Sequence, residues 1–315
     1  MRVLFASMAT VGHTFPMIPL ALALRDAGHE VHFAVGDDLH AELDRLGLKP
    51  FRPGMVFGEI YAEDIAPELE RVLPDLVISG WAVPKVFREA RRRAFPVLWH
   101  GFGRMFADGI GLARPSAGRH LDICPPSLQD KDFKQERLLL RPVAHEMPGE
   151  LPRRTHEKLV YLTLGSVFGT RDALLPAIAG LARLDAQIVV AAPRAALTHV
   201  PSNVTVHQWV PQVEVIRQAD LVVHHGGSGT MLAALAEGVP QVVLPQGADQ
   251  TGNAHALVTS GAAVWPDSAS ADAIAESARL VLGTGRYGEA AVQVAEEIRH
   301  MPSPEEVADR LAEVV

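Results

Sequence analysis

With 315 residues the chain is too long for one ordinary hydrophobic core and fits two domains of about 150 residues each. Hydrophobic residues at 48% against 21% charged are the balance of a globular protein in water, and a net charge of −8 removes any long-range attraction to nucleic acid or to an anionic membrane. The single cysteine, Cys124, excludes an intrachain disulfide and fits a reducing compartment. The apolar run Met1 to Ser7 is too short for the core of a signal peptide, and no stretch reaches the roughly 18 apolar residues of a membrane span. A cytoplasmic protein without a membrane span is expected.

Taken in chain order, Arg2 to Ser7 reads as a buried strand, followed by a Gly/His/Pro turn from Thr10 to Pro16. Met17 to Ala27 has a helical pattern closed by Gly28, and His29 to Val35 is a second strand. The first 36 residues are thus one βαβ unit of a parallel sheet. Asp75 to Ser79 and Pro96 to Trp99 are further strands, with a helix from Val86 to Arg93 between them. From Gly101 to Pro126 the pattern dissolves into loop, and Asp130 to Pro152, rich in charge and proline, contains the linker.

A second α/β series begins at Leu159–Leu164, followed by Gly165-Ser166. A helix from Leu174 to Leu184 and strands at Ala186–Ala191 and Val204–Val206 come next. Pro211 to Gln218 is helical, and Leu221-Val222-Val223-His224 is a strand that runs into a glycine-rich turn. A helix from Met231 to Glu237, a strand at Gln241–Leu244 and a helical tail from Ala269 to Val315 complete the chain. The expected organisation is an N-terminal domain over 1–142, a linker over 143–158 and a C-terminal domain over 159–315. Ligands of such doubly wound sheets bind beyond the carboxyl ends of the strands.

The strongest chemical signal is His224-His225-Gly226-Gly227-Ser228-Gly229-Thr230, placed after an apolar strand and before a helix. Such a turn leaves backbone N–H groups free and aims a helix N-terminus at its own mouth, which suits an anion such as a diphosphate. Ser228 and Thr230 add hydroxyl donors. A glycine turn that only packs helix on strand has the same pattern, and the turn alone does not separate the two.

Two further elements follow in register: Ala236-Glu237-Gly238-Val239-Pro240, then Pro245-Gln246-Gly247-Ala248-Asp249-Gln250-Thr251-Gly252-Asn253-Ala254. Together the three resemble the donor-binding signature of the GT-B glycosyltransferases, the group that holds bacterial natural-product and plant secondary-metabolite enzymes. Leu164-Gly165-Ser166 and Trp209-Val210-Pro211-Gln212 fit the same pattern. Ile123 to Gln129, Leu140-Arg141-Pro142 and Met301-Pro302-Ser303-Pro304 resemble its macrolide- and polyketide-decorating branch.

The resemblance implies two Rossmann-like doubly wound domains facing across a cleft, the first binding an acceptor and the second a nucleotide sugar. It implies that His225 contacts the α-phosphate and that Gly227, Ser228, Gly229 and Thr230 hold the β-phosphate, with Ser166 approaching the diphosphate. Val210 and Gln212 would line the base with Trp209 beside them, although Trp209 also reads as a core residue and Ser166 as an ordinary cap. Asp249 and Gln250 would bind sugar hydroxyls. Many relatives carry a glutamate for the ribose hydroxyls where this chain has Ala233, which favours dTDP over UDP as the nucleotide.

The resemblance also makes His13, in Val11-Gly12-His13-Thr14, the general base of an inverting, metal-independent transfer to a small natural-product aglycone. No cofactor beyond the nucleotide-sugar co-substrate and no metal is implied. Asp130-Lys131-Asp132 spells a D-x-D pattern but reads as a solvated charge run. The aspartate that orients this base in relatives aligns with Gly80. Either another carboxylate such as Asp108 takes over, or the acceptor is an acidic phenol or an amine, or the protein no longer catalyses.

The N-terminal half is shorter than is usual in the family, so a homodimer or an auxiliary protein partner stays open. The alternative to an active transferase is a silent homologue that binds nucleotide sugar or activates a partner transferase. A sugar-nucleotide 2-epimerase would need catalytic carboxylates around the sugar, and no such cluster is seen. Trp81 and Trp99 read as acceptor-pocket walls or as core, and His29, His32, His40, His100 and His120 as surface or supporting residues without metal-site spacing.

Overall fold

The computed structural model describes residues 1–52, 55–56, 59–60, 62–115, 117–165, 169–193 and 199–314, with backbone alone at 55, 56, 59 and 312–314. The chain forms two compact units. The first comprises Met1–Cys124, Gln129–His145 and His300–Val315, and the second comprises Pro125–Leu128 and Glu146–Arg299.

Among the described residues the first unit carries β1 (Arg2–Ala6), β2 (Glu30–Ala34), β3 (Lys49–Phe51), β4 (Met55–Val56), β5 (Glu59–Ile60), β6 (Leu76–Gly80), β7 (Val97–His100), β8 (His120–Asp122) and β9 (Arg137–Leu139). Seven make a parallel sheet in the order β3-β2-β1-β6-β7-β8-β9, while β4 and β5 pair as a small antiparallel hairpin. The central strands Arg-Val-Leu-Phe-Ala and Leu-Val-Ile-Ser-Gly are near-continuous apolar runs because helices cover both faces of the sheet. Val3 therefore stands beside Val31 of β2 and Leu76 of β6. The helix Ile18–Asp26 ends at Gly28, whose φ of +84° is the left-handed closure glycine adopts at least cost.

The second unit carries β10 (Leu159–Thr163), β11 (Gln187–Ala191), β12 (Val204–His207), β13 (Leu221–His224), β14 (Gln241–Val243) and β15 (Ala263–Val264). They form one parallel sheet in the order β12-β11-β10-β13-β14-β15. Its core gathers Val160, Leu162, Ile188, Val190, Val223 and Val242 against Leu174, Ile178, Ile274 and Ala278 of the covering helices. Each fully buried valine, leucine or isoleucine among them stabilises the unit by about 1.5–3 kcal/mol.

Both sheets reverse direction of growth once, between β1 and β6 in the first and between β10 and β13 in the second. Loops leaving the two strands of a reversal turn to opposite faces and open a crevice at the carboxyl ends. The His13 turn follows β1 and Gly80 closes β6, whereas Gly165 follows β10 and the histidine-glycine turn follows β13. The doubly wound expectation holds in each unit, and both candidate catalytic segments sit at a reversal.

Several elements differ from the sequence reading. β8 lies inside the stretch read as loop and β9 inside the charged stretch read as linker. Each is three residues long, and His-Leu-Asp and Arg-Leu-Leu lack the aliphatic run that marks a buried strand. The tail also departs from the expected division at 159–315: the helix Pro304–Val314 packs on Ile18–Asp26 of the first unit, burying Val307, Ala308 and Leu311. Arg141 accompanies it, its backbone N–H donating to Pro302 O at 2.7 Å and its Nε to Met301 O at 3.0 Å. Two motifs far apart in sequence meet there.

Candidate active site

The turn after β13 is built from the histidine pair outward. His224 is fully buried. Its Nδ1 accepts from Gly226 N–H at 3.1 Å, which leaves Nε2 to donate to Gln241 Oε1 at 2.6 Å. Burial holds its pKa down at about 3, so the ring is a neutral, tautomer-fixed brace between β14 and the turn. Gly226 adopts φ +91°, and a Cβ there would stand 3.0 Å from Gln250 O. Only glycine fits this conformation at that distance.

His225 points the other way, half-buried, with its ring wedged between two glycines. A Cβ on Gly165 would lie 2.7 Å from its Cε1, and a Cβ on Gly227 only 2.5 Å from its Nε2. Burial lowers its pKa to about 4 against a hydrogen bond to the Thr163 backbone, so at neutral pH the ring is uncharged.

Gly227 is the N-cap of the helix Ser228–Ala236 and has no side chain to cap it. The first amides of a helix have no intrahelical acceptor, and here they face the turn together with the positive end of the helix dipole. Gly229 is exposed, with open space around its Cα. The hydroxyls behave differently. Ser228 Oγ donates to Asp249 Oδ2 at 3.3 Å, and Thr230 Oγ1 donates to Gln212 Oε1 at 3.3 Å, an acceptor shared with Tyr161 Oη at 3.3 Å. Both hydroxyls tie the turn to neighbouring elements.

The loop after β14 brings in the last expected pair. Ala248 sits at φ +54°, a left-handed conformation costing about 1 kcal/mol for a non-glycine residue, and it delivers Asp249 to the N-cap of the helix Gln250–Ser260. Asp249 is half-buried, and burial pushes its carboxyl above the usual range against the pull of Asn253 and Ser228. Gln250 is only 2% exposed. Its Oε1 accepts from Gln246 N–H at 2.7 Å and Gly247 N–H at 3.2 Å, so its carbonyl holds the loop and only its amide nitrogen is left for a sugar.

Of the base-side residues, Trp209 is 42% exposed, which removes it from the core, while the Val210 side chain is buried with Tyr161, Val215 and Val222. Val210 can line a site only through its backbone. Ala233 belongs to the same buried cluster, so this face of the helix is apolar. Ser166 lies outside the described residues.

In the first unit, His13 is in the short helix Val11–Thr14 directly after β1. The turn is pinned beneath it: Ser7 Oγ and Thr14 Oγ1 are 3.0 Å apart, and Thr14 Oγ1 donates to Met8 O at 3.1 Å. The His13 ring meets Phe102 edge-on at 4.4 Å, and burial lowers its pKa to about 4. Among the described residues no carboxylate bonds it, and Asp108 is exposed on its own loop. A Cβ on Gly80 would stand 3.3 Å from Ala6 O and 3.8 Å from Met17 Sδ, so the expected aspartate position is closed in by backbone and thioether.

Trp81 and Trp99 are core residues, packed with Phe87, Phe102, Phe106 and Phe133. Trp81 Nε1 donates to His120 Nδ1 at 3.0 Å, and His100 and His120 are both buried rather than at the surface. Asp130 is also structural: Arg104 pairs with it at 3.1 Å, and its Oδ1 accepts from Asp132 N–H at 2.9 Å.

The residues missed by sequence reasoning are Asn253, Gln241, Gly165 and His224 as a brace. Asn253 and Gly165 lie within the motifs without a chemistry of their own that marks them, and Gln241 carries no signal beyond opening a strand.

The chain is 31% identical to the elloramycin glycosyltransferase ElmGT of Streptomyces olivaceus over 380 aligned positions, covering 99% of this chain and 97% of that protein. It belongs to the antibiotic-biosynthesis glycosyltransferases. Within this glycosyltransferase, residues 176–314 match the erythromycin biosynthesis protein CIII-like C-terminal domain. The spinosyn rhamnosyltransferase SpnG, solved in complex with thymidine diphosphate, is 28% identical with a TM-score of 0.84 over 99% of this chain and all of that one. The glycosyltransferase SnogD from Streptomyces nogalater gives 26% and 0.84 over 100% and 99%. The fold of this glycosyltransferase is therefore GT-B. The alignment to ElmGT runs to 380 positions against 315 residues here, so that relative carries stretches this glycosyltransferase lacks. Among the described residues no helix is long and apolar enough to cross a membrane.

Proposed function

We propose that this glycosyltransferase moves a deoxysugar from dTDP to a small natural-product acceptor, with inversion and without a metal. The observation that carries the reading is the turn from His224 to Thr230. It presents His225, wedged by two glycines, beside the uncapped N-terminus of the helix Ser228–Ala236. That set of neutral donors and aligned dipoles suits a diphosphate and offers an alternative to a divalent cation for the charge of the leaving group. The complex of SpnG with thymidine diphosphate supports dTDP, as does the apolar Ala233 where relatives carry a ribose-binding glutamate.

In this reading the second unit binds the donor. His225 meets the α-phosphate, and the amides at Gly227 to Thr230 meet the β-phosphate. The family resemblance assigns Ser166, outside the described residues, to the diphosphate as well, and Trp209, the Val210 backbone and Gln212 line the base. Asp249, with the amide of Gln250, reads the sugar. The first unit binds the aglycone, as the complex of SpnG with its spinosyn aglycone supports.

His13 is unprotonated at neutral pH and takes the acceptor's proton as the acceptor atom attacks the anomeric carbon. The new glycosidic bond forms on the face opposite the diphosphate. The bond from the anomeric carbon to the diphosphate oxygen breaks, and the electron pair leaves with the phosphate, where the turn's donors receive the charge. An imidazole without a carboxylate partner is a weak base, so acceptors with an acidic proton, phenols above all, are favoured. The test is turnover of α-linked dTDP-deoxysugars with a phenolic acceptor panel in excess EDTA, with the anomeric configuration read by NMR. β-Linked product formed at an undiminished rate in EDTA is expected. Retention of configuration, or activity that EDTA abolishes, would contradict the mechanism.

A further inference from the structure

The amide of Asn253 reaches three groups on two elements. Its Nδ2 donates to Gly226 O at 2.8 Å, to Asp249 Oδ2 at 3.0 Å and to Ser228 Oγ at 3.2 Å. The residue is 1% exposed and is held in the first turn of its helix by its own N–H, which donates to Asp249 O at 3.1 Å. In the donor reading proposed above, Gly226 and Ser228 belong to the turn that meets the diphosphate, and Asp249 is the carboxylate that meets the sugar. Both hydrogen bonds that Asp249 receives from side chains of the described residues, from Asn253 and Ser228, end on Oδ2. The residue's own backbone N–H also bonds the carboxyl, and Oδ1 receives no bond from these two side chains. The asymmetry matters because a half-buried carboxylate can rotate, and only an anchor on one oxygen fixes where the other points.

We infer that Asn253 is a positioning residue that couples sugar recognition to the phosphate-binding turn, locking Asp249 in the rotamer that reads the donor sugar when the turn is in its diphosphate-binding conformation. The inference rests on the donor reading proposed above. It assigns Asn253 no contact with the donor: the residue acts through Asp249 on one side and through Gly226 and Ser228 on the other. Three acceptors share its two N–H groups, so a shift of the turn on diphosphate binding redistributes those bonds and is felt at Asp249.

Substitutions at Asn253 separate coupling from simple support. Asn253→Asp keeps the shape and places two carboxyl groups against each other, where like charge raises the pKa of the pair so that one proton is retained. While that proton remains, the new carboxyl donates to Asp249 Oδ2 as the amide did. Once it is lost, the two carboxylates repel and Asp249 turns away. The sugar preference of Asn253→Asp therefore falls as pH rises. In the wild type it falls as pH drops, because the Asp249 carboxyl, already pushed up by burial, becomes protonated.

The experiment is calorimetric titration of the full chain with dTDP and with dTDP-glucose from pH 5 to 8, for wild type, Asn253→Asp, Asn253→Ala, Asp249→Ala and the double Ala variant. The readout is the ratio of the two affinities. We expect the wild type to prefer the sugar-loaded form and Asn253→Ala to lose about tenfold of that preference. Asn253→Ala should change nothing further in the Asp249→Ala background, and the pH trend should be reversed in Asn253→Asp. Additive losses in the double variant, or a wild-type-like pH trend in Asn253→Asp, would overturn the coupling. The Ala cycle decides alone if Asn253→Asp does not fold. A wild type that fails to bind dTDP would instead overturn the donor reading, and the inference with it.

Discussion

In the proposed mechanism His13 and His225 do opposite work with the same side chain, and burial lowers the pKa of each to about 4. For a base, a lowered pKa means readiness: His13 is unprotonated throughout the neutral range, and kcat/KM should fall only as pH drops towards about 4 and the ring takes up its proton. His13→Ala should lower kcat/KM by about 10²–10⁴-fold, measured by initial rates, while dTDP affinity stays at the wild-type value. A variant with unchanged turnover would remove His13 from the chemistry. Gly227→Ala makes a cleaner test of the phosphate side, because its φ of −65° suits alanine and the only conflict is the added methyl 2.5 Å from His225 Nε2. The ring must swing out, so dTDP affinity should fall about tenfold in a calorimetric titration while the melting temperature barely moves. His13, His225 and Asp249 can be proposed from the sequence because residue type and the turn that carries them suggest their chemistry. Asn253 and Gln241 cannot, because their function is a hydrogen bond to an element that only folding brings near. Gln250 shows the opposite limit. It was read as a sugar contact by its place in a motif, yet its carbonyl is consumed by Gln246 and Gly247.

Strands β10 and β13 were readable because Leu-Val-Tyr-Leu-Thr and Leu-Val-Val-His are buried on both faces and leave no polar gap. Strands β8 and β9 are not legible in the sequence because polar contacts rather than apolar runs hold them. The fully buried Asp122 in β8 accepts from Gln129 Nε2 at 2.9 Å, from Cys124 N–H at 3.0 Å and from Arg137 of β9 at 3.0 Å. Asp122→Ala leaves the Gln129 amide and the Cys124 N–H without their buried acceptor and should cost the first unit about 1–3 kcal/mol, read from the urea midpoint. The corresponding brace in the second unit is His224. Replacing it with leucine leaves Gly226 N–H and Gln241 Oε1 unpaired in a dry site, so His224→Leu should lose about 2–4 kcal/mol by the same measurement. Loss of dTDP binding should accompany it, since the turn hangs from that ring.

The two units repeat one design: a parallel sheet that reverses its growth, with the working segments on the loops that leave the reversal. That much was legible from alternating strands and helices. The return of the last helix to the first unit was not, because nothing in an amphipathic helix says which core it will cover. The buried histidines also give the whole molecule an acid profile. His100 and His224 are held neutral, at about 4 and about 3, whereas an unfolded chain protonates them near 6.5. A lowered folded-state pKa means that the unfolded state binds more protons as pH falls below 6.5. Stability should therefore decline from pH 6.5 to about 4, by on the order of 2–3 kcal/mol per buried histidine, and stay flat above pH 7. Urea midpoints that do not change between pH 7 and pH 5 would contradict this.

The most direct test of the central claim, that the turn after β13 is a metal-free nucleoside diphosphate site, is calorimetric titration of the full chain with dTDP and UDP in EDTA. We predict binding on the order of micromolar for dTDP, weaker binding for UDP, and loss of both in His224→Leu. Absence of binding for either diphosphate, or binding that appears only on adding a divalent cation, would contradict the account.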